Sequence, residues 1–284
     1  MVERAQKMLP FLKIYVNAVK TQHNTKLKES NESFKRSFKT VFISKTFNTV
    51  AEAVSDPLLE AKLSFFYKNA VYVEPFLRGF QSESPMVPYL FDEWTALLKG
   101  VMDKVLTSEC LSKGKSLIDV DYLVKNQLSF EKVDVGFATK LALKNAARSS
   151  EELKLLTFKK ECKSYFVGFI DKMVERSPLK YAMTRYVSCL NPEVICSSRD
   201  VAIKRLNGCL EKMVESDHAS GTDADRVKAE YQQLIENCAI QELLQSFRRS
   251  TDRLDDFWNK LMEHYGKDLP FFQRFYLSYF VRKV

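Results

Sequence analysis

A chain of 284 residues, 45% of them hydrophobic and with a formal net charge of +8, is long enough for one large or two small cores and too apolar to be a disordered protein. Only 8 Gly and 8 Pro are present, too few turn residues for an all-β architecture, so composition predicts an all-α fold, an irregular multi-helix array. No apolar run reaches the roughly 18–20 residues needed to span a bilayer. The N-terminus MVERAQKMLPFLKIYV lacks the uninterrupted apolar stretch and cleavage site of a secretory signal, so an intracellular chain without a membrane partner is expected.

In chain order, the first helix is expected from about Glu3 to Thr21, with Leu9, Leu12, Val16 and Val19 on one face. Residues 22–45 then read as a basic polar linker, because TQHNTKLKESNESFKRS has no apolar period. A short helix covers Thr46 to Val54. At Ser55-Asp56-Pro57 a start signal appears: Asp56 can accept from orphan backbone donors, and Pro57 sits where a missing N–H costs nothing. The stripe Leu59, Leu63, Phe66, Ala70, Val73, Leu77 and Phe80 steps by four and three and is expected to face a core, with a kink near Pro75.

Pro85 and Pro88 lead into a helix from Tyr89 to Leu106. Residues 116–135 hold the one β-like segment, SLIDVDYLV, where a short strand or extended segment is expected. Ser149 and Glu152 form a capping box that opens a long helix to about Glu175, with Leu155, Phe158, Cys162, Tyr165, Phe169 and Met173 inward. Pro178 starts the next helix and Asn191-Pro192 ends it. Further helices are expected over Arg199–Glu215 and Asp223–Ala239. The last carries Ile240, Leu244, Phe247, Thr251, Leu254, Trp258 and Leu261 in heptad spacing, a seam that wants a partner helix either within the domain or on another chain. Six aromatics in the closing LPFFQRFYLSYFVRKV exceed what an exposed tail can carry.

The search for chemistry is mostly negative. His23, His218 and His264 have no metal-ligand neighbours at helical spacing. Six cysteines stand at 110, 162, 189, 196, 209 and 238 without a C-x-x-C pair, which reads as free thiols, and Cys162 and Cys238 fall on apolar stripes. SKGKS ends like a phosphate loop, but Glu109 stands where its first glycine belongs. Asp119, Asp121 and Asp134 cluster loosely in the irregular stretch, where solvation is the ordinary explanation. Charge is more informative. Residues 1–50 carry ten Lys/Arg against three Asp/Glu, and residues 140–185 eleven against five, so the remainder is net acidic. Two basic regions can therefore meet phosphates.

Several segments share an order and rough spacing: Phe47-Asn48-Thr49-Val50, Asp56-Pro57-Leu58-Leu59-Glu60-Ala61-Lys62-Leu63-Ser64-Phe65-Phe66, Pro75-Phe76-Leu77-Arg78-Gly79-Phe80-Gln81, Pro85-Met86-Val87-Pro88-Tyr89-Leu90, Val133-Asp134-Val135-Gly136-Phe137, Glu161-Cys162-Lys163, Ser177-Pro178-Leu179-Lys180-Tyr181 and Ser188-Cys189-Leu190-Asn191-Pro192. From about residue 45 to 265 the series resembles the animal hAT-type transposase-derived proteins. In that family a zinc finger precedes an RNase H-like core whose three carboxylates hold divalent metal, and the core is interrupted by a helical insertion. The matched segments are similar to that insertion.

The resemblance thus implies four parts: an N-terminal helix over 1–21, the linker over 22–45, an insertion-like domain over 46–265 and a tail over 266–284 that departs from the family. It places the first two catalytic aspartates upstream of Met1 and the third carboxylate just beyond residue 270, where this chain reads PFFQRFYLSYFVRKV. No catalysis, no cofactor, no metal and no small-molecule substrate are inferred. The expected function is non-specific DNA association in the nucleus, with Lys159, Lys160, Lys163, Lys180 and Arg185 contacting phosphates. The alternative is self-association or pairing with another helical protein along Leu244, Phe247, Leu254, Trp258 and Leu261.

Overall fold

The computed structural model describes residues 2–29, 45–113, 116–122, 124–148 and 152–280, and all regular structure among them is helical. Among the described residues there are 14 α-helices and no sheet. In place of a strand, residues 116–135 hold two 3-10 turns, Leu117–Asp119 and Val124–Asn126, and one antiparallel bridge between Leu106 and Gln127.

The chain divides into two compact units. The first comprises Met1–Pro75, Met102–Cys110 and Tyr122–Phe169; the second comprises Phe76–Val101, Leu111–Asp121 and Ile170–Val284.

The first unit begins with α1 (Val2–Glu29), which runs past the expected end at Thr21 and takes in the start of the expected linker. Residues 22–29 contain no Gly or Pro, so nothing in the sequence stops a helix once it is under way. The rest of that linker, 30–44, lies outside the described residues. Leu9 and Val16 are buried as expected, whereas Leu12 is exposed. Val16 packs with Ala51 and Val54 of α2 (Lys45–Ser55).

Asp56 then acts as read from the sequence: its Oδ1 accepts from the Leu58 N–H at 2.8 Å and Lys62 Nζ donates to its Oδ2 at 2.7 Å. They precede α3 (Leu59–Phe80), which carries Pro75 within its length.

The buried face of α3 is a correction. Ala61, Ser64, Phe65 and Asn69 face inward, while Phe66 and Leu77 of the expected stripe are about half exposed. Both sets satisfy helical spacing and differ by a rotation of one residue, about 100°. Packing decides between them. Phe65 meets the edges of Phe158, Tyr165 and Phe166 at centroid separations of 6.3, 5.4 and 5.4 Å, and Asn69 satisfies its amide by donating to the Phe65 carbonyl at 2.8 Å. Those partners lie on α7 (Glu152–Glu175), whose buried positions are Phe158, Cys162, Phe166, Ile170 and Met173. Three of the six expected positions are among them, and Tyr165 is 40% exposed. Ser149, the expected cap, lies outside the described residues. Between α3 and α7 come α4 (Val87–Met102), α5 (Ser108–Lys113) and α6 (Phe137–Ala146).

In the second unit, the single helix expected from Pro178 to Asn191 is three short pieces: a 3-10 turn at Pro178–Lys180, α8 (Ala182–Tyr186) and a 3-10 turn at Val187–Leu190. Asn191-Pro192 ends this helical run, as expected, and also starts the next helix. The Asn191 side chain accepts from the Glu193 N–H at 3.0 Å and Pro192 takes the first position of α9 (Pro192–Ser197). The next two helices agree closely with expectation: α10 (Arg199–Glu215), capped by Ser198, and α11 (Gly221–Glu236), capped by Ser220.

The heptad run is divided between α12 (Cys238–Ser246) and α13 (Leu254–Tyr265) by a turn in which the Arg248 N–H donates to Asp252 Oδ2 at 2.7 Å. The seam therefore does not form one stripe on one helix. Leu244, Phe247, Leu254, Trp258 and Leu261 all join the core of the second unit at 5% exposure or less, and Thr251 in the turn is exposed. This leaves the five seam residues no apolar face to offer a partner. The aromatic tail forms α14 (Pro270–Phe280). Its free N-terminal donors, Phe271 N–H and Phe272 N–H, both bond to Glu230 Oε2 of α11, at 2.8 and 2.7 Å. Phe272 and Tyr276 close over Trp258 at 5.7 and 6.0 Å.

Cys110, Cys162, Cys189 and Cys209 are buried cysteines outside any disulfide; Cys196 and Cys238 are exposed, Cys238 contrary to its expected place on an apolar face. Burial pushes the Cys162 thiol up to about 12, so no reactive thiolate forms there near neutral pH. Titration of the native protein with an aromatic disulfide at pH 8 is expected to modify two thiols, Cys238 ahead of Cys196, whose thiol burial also raises. The remaining four should react only after denaturation. Rapid reaction of three or more in the native state would contradict this packing.

Candidate functional site

The five cations singled out by the sequence separate into two groups. Lys159, Lys160 and Lys163 belong to the first unit, Lys180 and Arg185 to the second.

On α7, Lys159 and Lys163 are one turn apart on the same flank, beside the buried stripe, and Lys160 lies further round with its ammonium 5.7 Å from the Phe130 ring. Lys159 borders a groove of about 390 Å³ that Lys140 and Lys144 of α6 also line, together with the apolar Val133, Leu143 and Leu155. Glu131 is the one carboxylate among the described lining residues. Lys144, Lys159 and Lys163 make no hydrogen bond or ion pair among the described residues.

The turn before α6 is held by Asp134. It accepts Lys68 Nζ at 2.6 Å and the Gly136 N–H at 3.1 Å, with Lys140 Nζ at 3.7 Å. Burial would raise the Asp134 carboxyl, but the Lys68 and Gly136 hydrogen bonds prevail and hold it below the usual carboxylate range. Gly136 has φ +93°, and a Cβ there would come within 2.4 Å of Lys68 Cδ, so the Asp134-Val135-Gly136 turn cannot take a side chain at its third position. Asp134 is thus an ion-pair anchor for lysines. No group of three or more His, Cys, Asp or Glu stands close enough to hold a metal ion among the described residues.

In the second unit, Lys180 and Arg185 line a pocket of about 400 Å³ with Phe91 and Thr95 of α4, Ser116, and Tyr186 of α8. Two guanidinium groups, Arg185 and Arg205, lie over the Phe91 ring at 5.5 and 5.4 Å. They differ in what else they bind. Arg205 is held by both oxygens of Asp92, at 2.8 and 3.0 Å, and donates to Ser188 Oγ at 2.7 Å. Ser188 Oγ in turn donates to the Arg185 carbonyl. Arg185 itself makes no ion pair or hydrogen bond through its side chain among the described residues. Lys180 spends one donor on the Glu175 carbonyl at 2.7 Å, while the Glu175 carboxylate is taken by Lys172 at 2.7 Å. Behind the pocket, Gly208 of α10 leaves room for the Tyr186 ring, since a Cβ there would come within 2.5 Å of it.

The sequence pointed to Lys180 and Arg185 but gave no sign of Phe91, Asp92 or Arg205. Asp92 and Arg205 are 113 positions apart, and an isolated Asp on one helix carries no mark of a distant Arg. His218 and His264 are exposed and bond locally, to Ser216 and to the Lys260 carbonyl. No helix is long and apolar enough to cross a membrane among the described residues. No family model, no curated protein and no solved structure matches this chain.

Proposed function

We propose that this chain is a non-catalytic helical module of a transposon-derived, hAT-like protein, and that it associates with DNA in the nucleus by contacting the phosphate backbone without reading sequence. The ordered segments from Phe47 to Pro192 support the family; the observation that carries the activity is the group of lysines around the first unit's groove. A cation already paired with a carboxylate gains little from a phosphate, whereas Lys144, Lys159 and Lys163 have no such partner to give up among the described residues. Lysine on a flexible stem suits this use, because phosphates repeat identically along every duplex.

Fluorescence anisotropy with two unrelated duplexes of equal length tests the reading. Both are expected to bind alike and to weaken as salt rises, with a log–log slope of about −0.9 per phosphate neutralised. Lys159→Glu, Lys160→Glu and Lys163→Glu together should lower affinity at least about tenfold and make the slope shallower by about 2–3. Binding that ignores salt, or a triple variant that binds like the parent, would sink the proposal. The alternative of partner pairing along the heptad seam is disfavoured by the burial of its five residues.

A further inference from the structure

The pocket around Arg185 differs from the lysine groove in carrying an arginine over an aromatic ring. We propose that it binds a phosphomonoester carried on a ring-bearing body, such as a mononucleotide or the phosphorylated end of a nucleic-acid strand. The inference rests on the reading above only in taking Lys180 and Arg185 as phosphate contacts.

Four observations converge. The first is charge. Asp92 is committed to Arg205 through both oxygens, so Arg185 brings a charge that Asp92 does not cancel, and Lys180 shares the Glu175 carboxylate with Lys172 and Arg176. The second is preorganisation. The exposed Arg185 guanidinium lies over the Phe91 ring, and its backbone carbonyl accepts from Ser188, which Arg205 and Asp92 hold, so the helix end that presents it is set before a ligand arrives. A guanidinium presents paired donors that match phosphate oxygens, and a terminal phosphate offers more charge and more free oxygens than a diester.

The third is the mixed lining. Leu117, Leu179 and the Tyr186 ring give an apolar wall for a base or sugar, and the pocket's volume of about 400 Å³ lies within the range of small-molecule sites. The fourth is Thr95, which lines the pocket and whose solvent-shielded hydroxyl has no hydrogen-bond partner among the described residues. Buried hydroxyls without partners are rare and costly, and a bound ligand is one way to satisfy them. A duplex backbone running past the surface would use none of the last three features, which is why a phosphomonoester fits better than an internal phosphate.

Isothermal titration of the full chain with AMP, adenosine and inorganic phosphate, and anisotropy with a short single strand bearing either a 5′-phosphate or a 5′-hydroxyl, tests the proposal. AMP is expected to bind at least about tenfold more tightly than either adenosine or phosphate alone. If strand ends are the source, the 5′-phosphorylated strand should surpass the 5′-hydroxyl strand by a similar factor; if the source is a free nucleotide, only AMP shows the preference. Arg185→Ala should remove the preference for the phosphorylated probe, and Arg185→Lys should restore only part of it, while circular dichroism confirms that both variants fold. The Lys159, Lys160 and Lys163 triple variant should leave AMP binding unchanged, so failure of the duplex reading and failure of this one are separable. Equal binding of phosphorylated and unphosphorylated probes, or a preference that survives Arg185→Ala, overturns it.

Discussion

Trp258→Ala is expected to destabilise the second unit by about 3–5 kcal/mol, the range seen when a buried aromatic is cut back to a methyl. Trp258 is fully buried, meets Phe257, Phe272 and Tyr276 at ring separations of 5.6–6.0 Å, and donates its indole N–H to the Leu190 carbonyl at 2.9 Å. Truncation therefore leaves both a cavity and an orphaned acceptor. Trp258→Phe separates the two: it keeps most of the ring and loses only the donor, so its cost should fall to about 1–3 kcal/mol. Both tryptophans, Trp94 and Trp258, belong to the second unit, so in Trp258→Ala the Trp94 fluorescence still follows that unit's unfolding in urea. A fall in midpoint at constant slope is the expected record. If Trp258 instead formed an intermolecular seam, the variant would keep the midpoint and change only the sedimentation behaviour.

Removing the carboxylate from the Asp92–Arg205 pair is expected to cost about 2–3 kcal/mol, more than removing the guanidinium does. The reason is unequal burial. The Arg205 side chain is 11% exposed and its buried Nε has no partner among the described residues, whereas Asp92 is 41% exposed. In Asp92→Ala a cation stays almost fully desolvated with only Ser188 to bind; in Arg205→Met the remaining carboxylate can turn to water while the methionine fills the apolar space. The same asymmetry should extend to the pocket. Loss of Asp92 frees Arg205 and weakens the tie through Ser188 to Arg185, so preference for AMP should decline in Asp92→Ala even at temperatures where the protein remains folded. Equal costs for the two variants by urea denaturation would show that the pair is an ordinary surface ion pair.

The helices that were legible from the sequence share a feature: their signals are local. Ser198 caps α10 and the capping pair Asp56-Pro57 precedes α3, because each acts on backbone groups within a few residues. Long apolar periods gave α7 and the buried tail for the same reason. Misread stretches needed information from elsewhere in the chain. In sequence Asn191-Pro192 reads only as a stop, whereas it ends the turn at Val187–Leu190 and starts the next helix as well. The heptad from Ile240 to Leu261 is real as spacing but passes through a turn, so all its residues except Thr251 gather in one core without lying on one helix.

Sequence by itself determined the helical class, the absence of a bilayer-length segment, the location of the basic regions and most helix boundaries, since composition, periodicity and caps act over short range. Tertiary structure alone decided which face of α3 turns inward, because Phe65 and Phe66 are equally apolar and only the rings of Phe158, Tyr165 and Phe166 distinguish them. It also decided which cations are committed. Arg205 and Arg185 are alike as letters, and only Asp92, brought in from 113 positions away, neutralises one and leaves the other its full charge.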